Sequence, residues 1–149
     1  MKRSRLIAAF ALAFTLNATF GQDIPKSQVP SLVVNNFQQA FPKAADVEWK
    51  MDGEIYKAEF ETGLPGIDHD AWFDKTGKLV RHREEISKSK LPKKVLAKIK
   101  ADFSGYRMDD VRRITEGSKV TYALELKKLK EERKEAFDTE GNVLSKVAD

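Results

Sequence analysis

Phe73-Asp74-Lys75-Thr76-Gly77-Lys78-Leu79-Val80 and Phe137-Asp138-Thr139-Glu140-Gly141-Asn142-Val143-Leu144 are two copies of one pattern, 64 positions apart. Each reads as a strand, a four-residue turn and a second strand. The Asp side chain accepts hydrogen bonds from the backbone ahead, and Gly supplies the positive φ that closes the turn. One Asp-x-x-Gly hairpin is commonplace. Two, at corresponding places in two halves of the chain, imply a duplicated unit.

Working outward, each turn is preceded by a helix at a matching distance. Pro30 opens the first, with Val33, Phe37, Ala40 and Phe41 as its apolar stripe, and Asn35, Gln38 and Gln39 facing away. Pro42 stops it. Pro92 opens the second, where Val95, Ile99 and Phe103 follow Val33, Phe37 and Phe41 at a constant offset of 62. Between helix and turn come strands. Val47, Trp49 and Met51 alternate with charged residues, Asp52-Gly53 marks a tight turn, and Tyr56, Ala58 and Phe60 form the next inward face. Tyr122, Leu124 and Leu126 repeat that face. Val111 and Ile114 fall on opposite parities, which predicts a bulge between Met108 and Thr115. Further strands are expected at about 69–74, 79–86, 132–138 and 142–147. The fold class is therefore α+β, a tandem repeat of one helix plus a four-stranded antiparallel meander, with the helices on one face of the sheet. The units are 22–87 and 88–149, together one compact domain, and residues 22–28 are expected as a polar leader.

The first 21 residues have a different character. Lys2, Arg3 and Arg5 precede an apolar run from Leu6 to Phe20, the layout of a secretory signal, with cleavage expected between Gly21 and Gln22. The run is too short for a spanning helix of about 20 apolar residues. Residues 1–21 hold three of the 27 basic residues and no acid, so the remainder carries 24 bases against 23 acids. The basic balance thus belongs to targeting and gives no support to a nucleic-acid partner. The expected location is the periplasm, with no membrane span after cleavage. The chain contains no cysteine, so apolar burial must stabilise it without disulfides.

The helix starts at Val29-Pro30 and Leu91-Pro92, the Phe41-Pro42 stop, the Val47-x-Trp49 strand, the Tyr56 and Tyr122 strands and the paired Phe-Asp-x-x-Gly turns resemble the PepSY-like, β-lactamase-inhibitor-like secreted proteins of Gram-negative bacteria. The resemblance covers nearly the whole chain after residue 21. It implies a fold like that of β-lactamase inhibitory protein. It implies no catalytic residue, and the family name records a structural likeness. Disulfide-supported binding loops do not carry over to a chain without cysteine.

The residues themselves offer little chemistry. No Gly-x-Ser-x-Gly elbow or phosphate-binding Gly-rich loop occurs, so the chain is read as a non-enzyme without a cofactor. Asp68-His69-Asp70 has metal-ligand residue types, but neighbours on a strand point to opposite faces and do not converge. No metal site is assigned from sequence. The lysine run from Lys88 to Lys100 lacks the arginines and aromatics of a nucleic-acid surface and reads as a solvated helix face. What remains is the sheet face away from the helices. Lys57, Glu59, Asp70, Trp72 and Asp74 are expected there, with Trp72 as an exposed aromatic among charges. The loop Thr62–Ile67 is two residues longer than its counterpart and holds apolar Leu64 and Ile67. These seven residues are the expected contact surface for a protein or peptide partner, possible inhibition of an envelope protein or peptidase included. The alternative reading is a small-molecule- or metal-responsive periplasmic protein using His69.

Overall fold

A computed structural model describes residues 21–144; the expected signal segment thus lies outside the described residues except for Gly21. The repeated proline starts act as anticipated. Pro30 and Pro92 stand at the N-caps of α1 (Ser31–Ala40) and α2 (Lys93–Asp102), and their carbonyls accept the first helical bonds, from Val34 and Leu96. Around the helices run eight strands: β1 (Gln22–Ile24), β2 (Ala45–Asp52), β3 (Ile55–Thr62), β4 (Ile67–Phe73), β5 (Leu79–Glu85), β6 (Arg107–Glu116), β7 (Lys119–Lys128) and β8 (Glu131–Phe137). They form one antiparallel sheet in sequence order, joined by consecutive pairing from β1 to β8.

Both helices lie against the same face of this sheet. Residues directly opposite in an antiparallel ladder share a face. Phe60, His69, Glu84, Arg113, Tyr122 and Phe137 form one such row across β3 to β8. At one end of the row, α1 buries Val33 and Phe37 against Trp49, Ala58, Phe60, Ala71 and Phe73. At the other, α2 buries Val95 and Ile99 against Val111, Tyr122, Leu124, Leu126 and Phe137. There are thus two apolar cores, and the middle of the row between them is polar.

The quoted turns clasp their helices. Asp74 accepts hydrogen bonds from the amides of Thr76 (2.9 Å) and Lys78 (3.1 Å), and Asp138 from those of Glu140 and Asn142 (both 2.9 Å). Gly77 and Gly141 take φ of +81° and +83°. A Cβ on Gly77 would lie 2.6 Å from Asn36 Nδ2, and one on Gly141 would lie 2.6 Å from the Lys94 carbonyl oxygen. The glycines therefore serve the turn and the approach of sheet to helix together.

Several expectations are corrected. Residues 22–24 are no free leader: they pair with Trp49–Met51 as the edge strand β1, and Ile24 packs on the first core. Among the described residues the second helix is followed by three strands, and after the turn by a single bridge, Phe137 to Val143, and a bond from the Leu144 amide to the Ala136 carbonyl. Residues 145–149 of the expected last strand lie outside the described residues. The bulge anticipated in β6 is present between Asp109 and Arg112, with Asp110 at φ +47°. An unanticipated twin occurs in β2 between Ala45 and Glu48, with Asp46 at φ +51°. Val47 beside it is exposed, while Trp49 stays buried. Ala40, placed in the α1 stripe, is exposed as well.

Candidate functional site

The face opposite the helices is covered by no element of the described chain. The register assigns to it Lys50 on β2, Lys57 and Glu59 on β3, Asp70 and Trp72 on β4, Arg81 and Arg83 on β5, and Ile114 on β6. Lys57, Glu59, Asp70 and Trp72 therefore do come together, on the strand parity the sequence indicates. Asp74 does not join them. Its carboxylate closes the β4–β5 turn, and the hydrogen bond from the Thr76 hydroxyl, followed by those of the turn amides, holds its pKa below the ordinary carboxylate value.

Trp72 corrects another expectation. It lies on the open face but is only 7 % exposed. The Arg81 guanidinium stands 4.7 Å above the ring centre, with the Lys57 ammonium at 5.2 Å and the Arg83 guanidinium at 5.7 Å. Its indole N–H donates to Asp52 at 3.2 Å. Long cationic side chains lay their stems over apolar area while their heads stay in water, and the ring quadrupole attracts those heads. Sequence alternation placed the ring on the right face and could not show its cover, because the cations come from two neighbouring strands.

Around this lid the charges are paired in a ladder that crosses the strands. Lys50 meets Glu59 at 2.8 Å, Glu59 meets Lys57 at 2.6 Å, Lys57 meets Asp70 at 3.1 Å, and Arg83 Nε donates to Asp70 at 2.6 Å. Burial alone would discourage ionisation of Glu59, but hydrogen bonds from Lys50 and Lys57 outweigh it and lower its pKa. Toward the bulged ends of β2 and β6 the balance changes. A trough of about 680 Å³ is lined there by ten carboxylate residues, among them Asp46, Glu61, Asp68 and Asp110, against three cations, Arg83, Arg112 and Lys127. Bulges bend and twist strands locally, so the paired bulges shape the end of the sheet where the acids gather. Leu64 stands fully exposed in the adjoining β3–β4 loop, and Ile67 is partly exposed at the start of β4. A second cavity of about 750 Å³ lies between α1 and β2, with Phe37, Phe41 and Trp49 in its wall. It flanks the first core and holds none of the residues singled out from sequence.

The helix side of the sheet brings together a group that sequence reading missed. Asp68 and Asp70 point to the open face, whereas His69 points to the helices and meets His82 from β5. His69 Nδ1 and His82 Nε2 are 3.0 Å apart, and Thr62 Oγ1 lies 2.8 Å from His69 Nε2. Phe60 stacks on His69, and Phe41 lies 5.0 Å from His82. Only the β4–β5 register could have disclosed this pair. Burial lowers the pKa of both imidazoles below the ordinary value of 6.5, against the pull of Glu84; Arg113 adds to the lowering at His82. The sign follows directly. The unfolded chain takes up protons near 6.5 while the folded chain resists until a lower pH, so stability is lost as pH falls through that window. The urea midpoint is expected to drop between about pH 7 and pH 5, and a His69→Gln, His82→Gln double variant should flatten the slope. An equal slope in the variant would place the titration elsewhere.

No helix among the described residues is long and apolar enough to cross a membrane. No curated protein matches the chain. Solved structures do match its fold. A protein described as "putative periplasmic" from Bacteroides eggerthii aligns with a TM-score of 0.69 at 22% identity, over 78% of this chain and 86% of that one. A BLIP-like protein from Bacteroides fragilis aligns with 0.66 at 18% identity, over 81% and 84%. A DUF2874 family protein from Bacteroides uniformis gives 0.67 at 22%, over 77% and 86%. At these identities the likeness is one of fold: an eight-stranded antiparallel sheet with two helices, BLIP-like in form. The family described as "Putative beta-lactamase-inhibitor-like, PepSY-like" matches residues 18–67 and 54–145. Matched over most of its length, the chain belongs to this PepSY-like, β-lactamase-inhibitor-like family.

Proposed function

We propose that the chain is a secreted, non-enzymatic binding module of the periplasm, built from two tandem units, 22–87 and 88–149, that receives a protein partner on its open sheet face. One observation carries the reading: the helices cover a single face, and the other presents a trough lined by ten carboxylate residues and three cations beside an exposed leucine. Such a surface is complementary to a partner that offers basic side chains and one apolar pocket. Ion pairs at the partner's rim would steer encounter, and Leu64 would supply the desolvated anchor. Lys57, Glu59 and Asp70 are held in place by their ladder, so little side-chain freedom would be lost on binding. Trp72 would act as a floor beneath Arg81 and Arg83 and not as a protruding contact. The two family matches and the recurring helix, bulge and turn support the tandem organisation. The periplasmic assignment rests on the basic, apolar leader and on what the eggerthii protein is called. Inhibition of an envelope protein or peptidase is the form of binding that the family name suggests.

The test is capture of periplasmic proteins on the immobilised wild-type chain and on a Leu64→Asp, Asp68→Lys variant. Both residues are exposed, so the melting point should hold within the small range of surface substitutions. Affinity for a captured partner should fall by about 30-fold or more, the scale of an interface hot spot. Equal capture by both would remove the trough and loop from the binding surface.

A further inference from the structure

The polar seam between the two cores carries a second site on the helix side of the sheet, next to the trough, which His69 also borders. His82 and Glu84 are two apart on β5 and share its helix side; His69 stands directly opposite Glu84 and diagonal to His82. One nitrogen of each histidine and one oxygen of Glu84 all lie within 4.8 Å of one another. We propose that His69, His82 and Glu84 bind a divalent transition-metal ion of the zinc class.

The residue types select the ion. Two imidazoles with one carboxylate suit zinc and its neighbours, whereas calcium and magnesium take oxygen ligands. The separations suit it as well. Two nitrogens each about 2.0–2.1 Å from a tetrahedral zinc stand about 3.3 Å apart, close to the 3.0 Å between His69 Nδ1 and His82 Nε2. Glu84 Oε2 is 3.9 Å from His69 Nδ1, within reach of the same ion after a small side-chain rotation. Both ligand orientations have outer support. Thr62 Oγ1 can accept from His69 Nε2, and in that tautomer the lone pair of Nδ1 faces His82. Arg113 pairs with Glu84 Oε1 and leaves Oε2 toward the histidines. Thr62 and Arg113 are thus positioning residues of the kind that orient metal ligands. Burial disfavours the charged form of both imidazoles, in the direction that a metal ligand needs. The three protein ligands leave a fourth position to water. The ion would bridge β4 and β5 between the two cores, beside the Phe41 and Phe60 rings.

Calorimetric titration of the purified, metal-stripped protein with zinc chloride at pH 7.5 tests this, with cobalt(II) absorption as a second readout. The expected result is one equivalent bound, with a visible cobalt spectrum of imidazole coordination. His69→Gln and His82→Gln should each weaken binding by about 10- to 100-fold or more. Glu84→Gln, which keeps the side-chain shape, should weaken it too, and Thr62→Val by about 10-fold through loss of orientation. Asp68→Asn with Asp70→Asn, on the open face, should weaken it far less than any ligand variant, through the loss of nearby charge alone. Circular dichroism identifies any histidine variant that fails to fold, and Glu84→Gln then decides. Absence of saturable one-to-one binding overturns the proposal. So does zinc affinity that survives in folded His69, His82 and Glu84 variants or is abolished by the open-face pair.

Discussion

Phe37→Ala is expected to destabilise the fold by about 3–5 kcal/mol, the range for emptying a buried aromatic site. Phe37 is the point on which the first core converges. Its ring meets Trp49 at 5.2 Å, Phe60 at 5.1 Å and Phe73 at 6.2 Å between centroids, in edge-on arrangements. Those partners come from β2, β3 and β4, so no single side-chain rotation can refill the space. The neighbouring cavity beside α1 gives the hole a path to solvent and so a partial relaxation. For that reason the lower half of the range is the better expectation. Ile99, at the matching place in α2, should cost about 2–5 kcal/mol when cut to Ala. Urea unfolding of each variant, with the slope checked for constancy, measures both. A loss below about 1 kcal/mol at Phe37 would mean that α1 does not hold the sheet through this stripe.

Trp72→Ala should cost a comparable amount, about 3 kcal/mol or more, although the residue lies on the polar side of the sheet. Removing the indole strips the apolar support from Arg81, Lys57 and Arg83 together and leaves Asp52 without its donor. The expectation from strand alternation alone is the reverse, a near-neutral surface change. The melting midpoint of the variant separates them. A shift of only a degree or two would show that the cations hold their places without the ring.

These two residues show what the sequence could and could not reveal. Helix stripes, proline starts and Asp-x-x-Gly turns are local signals, each set by spacing within a few residues, and α1, α2 and both turns follow from them. The shared helix face also follows, since alternation fixes which residues point together, but that one sheet runs through both halves rests on the β5–β6 ladder. Cross-strand facts did not follow. His69 finds His82 and Trp72 finds Arg81 only through the β4–β5 register, and neither pair is adjacent in sequence. The bulge in β6 was legible because Val111 and Ile114 conflict in parity. Its twin in β2 was hidden because Val47, Trp49 and Met51 alternate without conflict, and the positive φ of Asp46 is written in no periodicity. Strand β1 was missed because three residues flanked by polar neighbours carry too little pattern. Of the expected binding residues, Asp74 was misplaced because Asp in such a turn serves the backbone.

The glycine clasps have a consequence for the order of assembly. Asn36 donates to the carbonyl of Gly77 at 2.7 Å, a closure spanning 41 residues, and Lys94 pairs with Glu140 across 46. Among the described residues these two bonds fasten each helix to the hairpin turn that follows it in its own half of the chain. The entropic cost of closing a loop grows only as the logarithm of its length, but it must be met before the contact forms. Neither helix can therefore be fixed until the strands between it and its turn are laid down. Both closures lie wholly within one half of the chain. A chain made N-terminus first can seal its leading half before its trailing half is complete, and the β5–β6 ladder then joins the two.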